Sequence, residues 1–195
     1  LKYMNDADLI FAVGASISPG RFGHGIPDAT SKKITQCNID EYDINRMYPT
    51  THAVIGDAKA TLQSLVEELG NGSSEKNEQI EKEIASTTDQ AMAQYHEVFT
   101  SDAKPINPYR VYGDLMKVLD RNNSFVTHES GNTRDQLSTV YETLIPRGFL
   151  GWGNVSSLGF SFPAVTAAKL AHPDRQCVAV IGDAALSYML GNFEV

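Results

Sequence analysis

Cysteine and tryptophan are scarce in this sequence, basic side chains are in the minority, and long apolar runs are missing. Cys37 and Cys177 lie far apart and outside any CxxC spacing. This argues against a disulfide framework or a zinc site and predicts buried free thiols. Acidic residues outnumber basic ones by 24 to 16, and the net charge of −8 disfavours nucleic acid as a partner.

No stretch approaches the roughly 20 apolar residues of a membrane span, and the start lacks the basic-then-apolar order of a signal peptide. We therefore expect no membrane partner and a cytoplasmic location. The chain begins without Met and ends inside a predicted helix, so we expect a piece of a longer protein. Its 195 residues, 42% of them hydrophobic, suffice for one good core or two small ones.

Three short apolar runs, which stop at glycine or aspartate, open the chain at 8–14, 34–39 and 53–55. The first is continuously apolar and predicts a strand buried on both faces of a parallel sheet. Strands that stop at glycine or aspartate place their loops where α/β sheets bind ligands. Apolar residues at helical spacing follow over 58–69, and Gly70 supplies the stop. Residues 1–70 are therefore predicted to form part of a Rossmann-like domain.

The composition changes to polar and charged residues over 71–104, which predicts a helical connector. A second domain is predicted over 105–195, opening with Asn107 as the cap of a helix that has Pro108 in its first turn. A short strand within SFVTHESGN that leaves into a polar loop, a helix from about 158 to 170 and a fully buried strand over 176–183 follow. Alternating strands and helices indicate an α/β fold with mostly parallel sheets, in two partial Rossmann-like domains.

The segment that carries most chemistry is GDAALSYMLGNFE, which begins at Gly182 directly after an apolar strand. A helix is predicted to start soon after Gly182, so its backbone N–H groups and its dipole face whatever binds there, and Asp183 brings a hard oxygen ligand to the same place. A diphosphate bridged to Mg²⁺ suits both features. The alternative is an aspartate that merely caps the helix.

This segment resembles the opening of the motif that binds thiamine diphosphate (ThDP). The resemblance is to ThDP- and magnesium-dependent enzymes of the acetolactate synthase, benzoylformate decarboxylase and oxalyl-CoA decarboxylase family. It implies that Asp183 ligates Mg²⁺ and that the backbone at Gly182, Ala184 and Ala185 faces the diphosphate. Ala184 departs from the usual glycine, and Ala185 stands where serine is frequent. The second Mg²⁺ ligand of the family, an asparagine, is expected beyond Val195.

Two upstream segments resemble the same family. GWGNVSSLGFSFPAVTAAKL is similar to its glycine-rich turn and following helix, which implies that Leu158 wedges between the cofactor rings. The carbonyl of Ser156 would accept a hydrogen bond from the aminopyrimidine. THESGNTRDQL is similar to segments of the decarboxylases that reach the diphosphate, which assigns Gly131 and Asn132 to that contact. Core packing for Leu158 and a simple turn at Gly131 remain the alternatives.

ADLIFAVGASIS, ITQCNIDEYDINRMYP and AVIGDAKATLQSLVEEL follow one another as they do in acetolactate synthases. The first 70 residues thus resemble the end of the family's central domain, which binds FAD in some members, ADP or a CoA-related nucleotide in others and nothing in many. FAD or ADP is therefore a possibility that we do not assert. The resemblance implies a carboligase or decarboxylase acting on a small-molecule 2-oxo acid. It also implies a homodimer or homotetramer with the active site at the subunit interface, where the activating glutamate comes from an N-terminal domain. No catalytic residue is assigned within this sequence.

Two other function classes stay open at this point. The first domain alone also resembles the NAD-binding cores of sirtuin-like proteins, which would suit a non-catalytic nucleotide-binding module. Ala184 and Ala185 would suit a degenerate ThDP-family subunit that supports assembly without catalysis. The Leu158 turn and the Gly182–Asp183 strand end favour the enzyme over a simple nucleotide module.

Overall fold

The computed structural model describes residues 2–18, 25–70, 74–152 and 157–193. These residues form two compact units, an N-terminal unit over Leu1–Asn77 and a C-terminal unit over Glu78–Val195. Both contain a three-stranded parallel sheet with helices, which confirms the predicted α/β fold. Within the described ranges, no helix combines the length and the apolar character needed to cross a membrane.

The N-terminal unit is built around a sheet of strand order β1-β2-β3. Its elements in chain order are α1 (Lys2–Asp6), β1 (Leu9–Val13), β2 (Lys33–Asn38), β3 (His52–Ile55) and α2 (Ala58–Leu69), with short 3₁₀ turns at Ala29–Ser31 and Glu41–Asp43. Cys37 on the central strand is level with Val13 of β1 and Val54 of β3, so the three carboxyl ends share one edge. Gly70 ends α2 with a φ of 61°, as its position in the sequence predicted.

Burial in the N-terminal unit is concentrated on the central strand. Ile34 and Cys37 are fully buried, whereas Leu9 and Phe11 of β1 are 50% and 41% exposed. The prediction of strands buried on both faces is therefore wrong for β1. Leu9 and Phe11 share a face of an edge strand, because side chains two residues apart point to the same side of a sheet.

The C-terminal unit contains most of the helices and the second sheet, of order β5-β4-β6. Its elements are the remainder of α3 (Ser74–Ala93), α4 (His96–Phe99), α5 (Pro108–Val118), β4 (Ser124–His128), α6 (Asn132–Val140), β5 (Phe149–Leu150), α7 (Ser161–Ala171), β6 (Gln176–Val180), α8 (Asp183–Met189) and a 3₁₀ turn at Leu190–Asn192. α5 begins as predicted, with the Asn107 side chain accepting a hydrogen bond from the N–H of Tyr109 at 2.9 Å.

Strand β4 is buried along its whole length. Around Val126 the core gathers Tyr112, Leu137 and Val140, and Phe99 is among the residues that pack against them. By contrast, β6 is only half-buried, so the prediction of a fully buried strand there is wrong. The reason is its place at the edge of the described sheet, where a neighbouring strand covers one side only.

Candidate functional site

The carboxyl ends of β4 and β6 lie side by side. The two strands are parallel with His128 level with Val180, and the N–H of Glu129 donates to the carbonyl of Val180 at 3.0 Å. Both strands then continue into loops, the first leading to Gly131 and the second to Gly182. Two segments that the sequence singled out separately therefore leave the same edge of one sheet, the usual ligand-binding edge of α/β folds.

Asp183 and Ala184 open helix α8 on the exposed side of this edge. The first intrahelical bond of α8 runs from the N–H of Leu186 to the carbonyl of Gly182 at 3.0 Å. The N–H groups of Asp183, Ala184 and Ala185 precede that bond and so have no acceptor within the helix. Ala185 is only 2% exposed, so its methyl group packs inward. The carboxylate of Asp183 stays on the surface beside these donors.

Gly131 adopts a backbone that glycine favours strongly, with φ 82° and ψ −146°. The residue precedes α6, and its carbonyl accepts the N–H of Arg134 at 3.1 Å. Asn132 is the first residue of that helix and is exposed. The backbone conformation of the turn is thus a sufficient reason for a glycine at position 131. The loop also places the backbone of Gly131 and Asn132 at the sheet edge that β4 shares with β6.

Leu158 lies in a turn just before α7 and is 53% exposed, so it is not part of the core. The next residue, Gly159, has a φ of 87° and lies against α8, because a Cβ atom there would come within 2.7 Å of the Met189 sulfur. The turn is therefore packed onto the helix that Asp183 begins. Ser156 lies outside the described residues. Helix α7 starts at Ser161, later than the predicted start near residue 158, because the turn occupies the intervening positions.

Glu129 follows β4 directly and is a residue to which the sequence analysis assigned no role. The side chain is fully buried, and its carboxylate accepts hydrogen bonds from the N–H of Ser130 at 3.0 Å and from the N–H and hydroxyl of Ser161 at 3.1 and 2.8 Å. The available signal was a charged residue directly after a predicted strand, because such a residue is buried only where partners satisfy it.

A magnesium site at Asp183 has to be tested against the donor set. Among the described residues, no group of three or more His, Cys, Asp or Glu side chains converges to hold a metal ion. Mg²⁺ does not require such a group, since it usually takes one or two carboxylates together with phosphate oxygens and water. An exposed carboxylate beside free backbone N–H groups and an open glycine loop therefore fits a diphosphate with its ion.

A parallel sheet with glycine loops and an exposed carboxylate at one edge is typical of α/β domains that bind ligands. Comparison with known families makes this more specific. The model described as "Thiamine pyrophosphate enzyme, C-terminal TPP binding domain" matches residues 129–195, and "Thiamine pyrophosphate enzyme, central domain" matches residues 1–65. The chain belongs to the thiamine pyrophosphate enzyme family, which confirms the resemblance seen in its motifs.

Several curated relatives carry the name acetolactate synthase. The probable large subunit from Methanococcus aeolicus is 27% identical over 190 residues, covering 92% of this chain and 32% of the relative. That from Methanocaldococcus jannaschii is 28% identical, covering 92% and 31%. Isozyme 3 of Escherichia coli K12 is 25% identical, covering 94% and 32%. The chain thus spans about a third of the length of the curated relatives it matches.

Proposed function

We propose that this chain is the part of a ThDP- and Mg²⁺-dependent carboligase, of the acetolactate synthase type, that holds the diphosphate end of the cofactor. The observation that carries the proposal is the convergence of three motif segments. The loops at Gly131 and Gly182 leave one sheet edge, and the Leu158 turn packs on the helix that follows the second loop. The names of the relatives favour a carboligase over a simple decarboxylase.

Each candidate residue has a role that its position supports. Asp183 would ligate Mg²⁺, and the N–H groups of Ala184 and Ala185 would donate to the diphosphate, as would the backbone at Gly131 and Asn132. Because Ala184 retains its N–H, loss of the usual glycine removes backbone freedom and leaves the donor in place. Bound ThDP supplies a nucleophilic carbon and an electron sink for a 2-oxo acid.

Leu158 would support the cofactor from the side. Its half-exposed side chain can contact a ligand without leaving the turn that Gly159 packs against α8. By resemblance, the carbonyl of Ser156 would accept a hydrogen bond from the aminopyrimidine. These groups orient the cofactor and exclude water from it, which is the protein's main contribution in cofactor enzymes.

The proposal extends to parts of the protein outside this chain. We infer that an N-terminal domain supplies the activating glutamate, that an asparagine beyond Val195 completes the metal site, and that two subunits of a cytoplasmic homo-oligomer share each active site. We assign no proton-transferring side chain within this chain, so catalysis would depend on those other parts of the protein.

Asp183→Asn in the full-length protein tests the metal assignment. The substitution keeps the shape of the side chain and removes its charge, so we expect Mg²⁺-dependent ThDP binding to be lost. Asp174→Asn is the matched control, because Asp174 is also exposed but precedes β6 instead of following it. Titration calorimetry with ThDP, with and without Mg²⁺, measures both variants.

Two results would contradict the proposal in different ways. Normal ThDP binding by the Asp183→Asn protein would mean that the metal ligand is misplaced. A wild-type full-length protein that binds no ThDP would instead favour the degenerate-subunit alternative, for which Ala184 and Ala185 are the sequence evidence. Product analysis with a 2-oxo acid then separates the two reaction types, since a carboligase joins two substrates and a simple decarboxylase releases an aldehyde.

A further inference from the structure

We propose that Glu129 is a positioning residue, which holds the Gly131 loop and the Leu158 turn in the arrangement that the cofactor requires. The inference rests on the proposed function, because it concerns the segments assigned to ThDP. Glu129 does not face the exposed edge where Asp183 lies, since its side chain is fully buried. Its effect on a ligand would therefore act through the segments to which it is bonded.

The two carboxylate oxygens of Glu129 serve different segments. Oε1 accepts the N–H of Ser130, in the loop that leads to Gly131, at 3.0 Å. Oε2 accepts both the N–H and the hydroxyl of Ser161, the residue that opens α7 directly after the Leu158 turn. One rigid, planar group thus joins the two segments across 32 positions of sequence.

The backbone of Glu129 is fixed as well as its side chain. Its N–H donates to Val180 of β6, and its carbonyl accepts the hydroxyl of Thr133 at 3.0 Å. The carbonyl also lies 3.1 Å from Nδ1 of the buried His128. With its main chain held in the sheet and at the start of α6, the carboxylate has little freedom to follow a displaced turn, so it defines where Ser161 sits.

The burial of this charge is what makes the link strong. Burying a carboxylate is unfavourable unless hydrogen bonds satisfy it, and charge-assisted bonds are about twice as strong as neutral ones. The negative charge also lies at the N-terminus of an eleven-residue helix, which favours it. Moving either segment breaks at least one of these bonds and leaves part of the charge unsatisfied.

Glu129→Gln in the full-length protein is the main test. Glutamine has the same shape, but one of its two terminal atoms is an NH₂ group, which donates. Since Ser130 and Ser161 both present donors to this side chain, one of the two bonds is lost. We expect the dissociation constant for ThDP, measured by calorimetry with Mg²⁺, to rise about 10- to 100-fold. This is the range found when residues that hydrogen-bond to metal-binding side chains are replaced. Hydrogen exchange at the amides of Ser130 and Ser161 should accelerate without cofactor.

Asn107→Ala is the matched control for a purely structural role. Asn107 caps α5 in the same unit, and its replacement removes one side-chain bond to a helix start that belongs to no candidate segment. We expect the control to melt earlier while binding ThDP as tightly as the wild type. Ser161→Ala is a second, milder variant that removes only the hydroxyl bond and raises the dissociation constant less than Glu129→Gln does.

The double variant Glu129→Gln with Ser161→Ala should bind ThDP little worse than Glu129→Gln alone, because both changes act on one interaction. The inference is overturned if Glu129→Gln melts earlier yet binds ThDP like the wild type, which is the behaviour expected of Asn107→Ala. If Glu129→Gln does not fold, unchanged ThDP affinity of Ser161→Ala overturns it instead. Absence of ThDP binding by the wild type would sink the proposed function itself, and this inference with it.

Discussion

At the scale of single residues, Leu158 is the side chain whose burial distinguishes two roles. A leucine that serves only packing is expected inside the core, where Leu137 of the same unit lies fully buried. Leu158 is 53% exposed and sits in a turn whose position depends on Gly159 and Met189. Such a large apolar surface beside the candidate site supports a ligand-facing role over a core role.

Leu158→Ala should therefore affect chemistry more than stability. Leu137→Ala is the matched control, and we expect it to cost about 2 to 5 kcal/mol of unfolding free energy through lost transfer energy and a cavity. Leu158→Ala should cost less and lower turnover on the order of 10²-fold, since rates respond to displacements of about 1 Å. Leu158→Met, similar in volume, should retain most of the rate.

Melting temperature and turnover of the full-length variants, saturated with ThDP, provide the comparison. An early-melting Leu158→Ala protein that turned over normally while folded would return this residue to a packing role. Equal stability losses for Leu158→Ala and Leu137→Ala would lead to the same conclusion.

The buried phenol of Tyr112 makes the stability of the protein depend on pH in the alkaline range. Burial raises the pKa of this phenol, with a smaller contribution from Tyr109. Because the pKa in the folded state exceeds the unfolded value of about 10, the stabilisation is complete below that pH and is lost as the pH rises through the folded pKa. The hydroxyl also donates to Gln136 at 3.0 Å.

Tyr112→Phe should accordingly destabilise the protein by about 1 kcal/mol at pH 8, through the lost hydrogen bond. Above pH 10 the difference in unfolding free energy between the wild type and Tyr112→Phe should narrow, because only the wild type loses stability when the phenol ionises. Thermal melts of both proteins at pH 8 and above pH 10 measure this. A stability difference that stayed constant or widened would show that Tyr112 does not contribute to the loss of stability at alkaline pH.

At the scale of structural elements, the two strand-end loops differ in how they use glycine. Gly131 has a φ of 82°, so any side chain there is strained even though open space surrounds it. Gly182 has an ordinary extended backbone, with φ −79° and ψ 160°, and open space at the position of a Cβ atom. The first loop thus needs glycine for its fold, while the protein itself gives no such reason for the second.

Alanine substitutions should separate these two requirements. Gly131→Ala should cost about 1 to 3 kcal/mol of stability from backbone strain. Gly182→Ala should leave the melting temperature unchanged and weaken ThDP binding, because the added methyl group would occupy space next to the proposed diphosphate. Unaltered ThDP affinity of a normally folded Gly182→Ala protein would mean that the ligand does not approach this backbone.

At the scale of the whole chain, several large apolar side chains are exposed to solvent. Helix α2 exposes Val66 and Leu69 by 67% and 71%, and β3 exposes Ile55 by 59%. Isolated large apolar side chains are common on protein surfaces, but several on adjoining elements favour association. The chain also spans about a third of the length of its curated relatives.

The 195-residue chain expressed alone should therefore bind ThDP weakly or not at all. The diphosphate segments are present, but the resemblance places the pyrimidine pocket and the second metal ligand elsewhere. Calorimetry on the isolated chain and on the full-length protein gives the comparison, with sedimentation to detect association through the exposed apolar surface. Micromolar affinity of the isolated chain would contradict this expectation.

The sequence by itself determined the features that depend on neighbours a few residues away. Alternation of apolar runs with helical spacing specified the α/β fold, Asn107 and Gly70 marked a helix start and a helix end, and the Gly182–Asp183 strand end identified the family. Periodicity and caps are local, since they need only the contacts within one or two turns of chain.

Only the tertiary structure decided how these segments meet. Whether β1 and β6 are buried on both faces depends on their place in the sheet, which no single strand's composition encodes. The bonds of Glu129 to Ser161 depend equally on strand register and on where α7 begins. Contacts across 32 positions exist only once the sheet has formed, because the geometry that satisfies a buried charge comes from several elements at once.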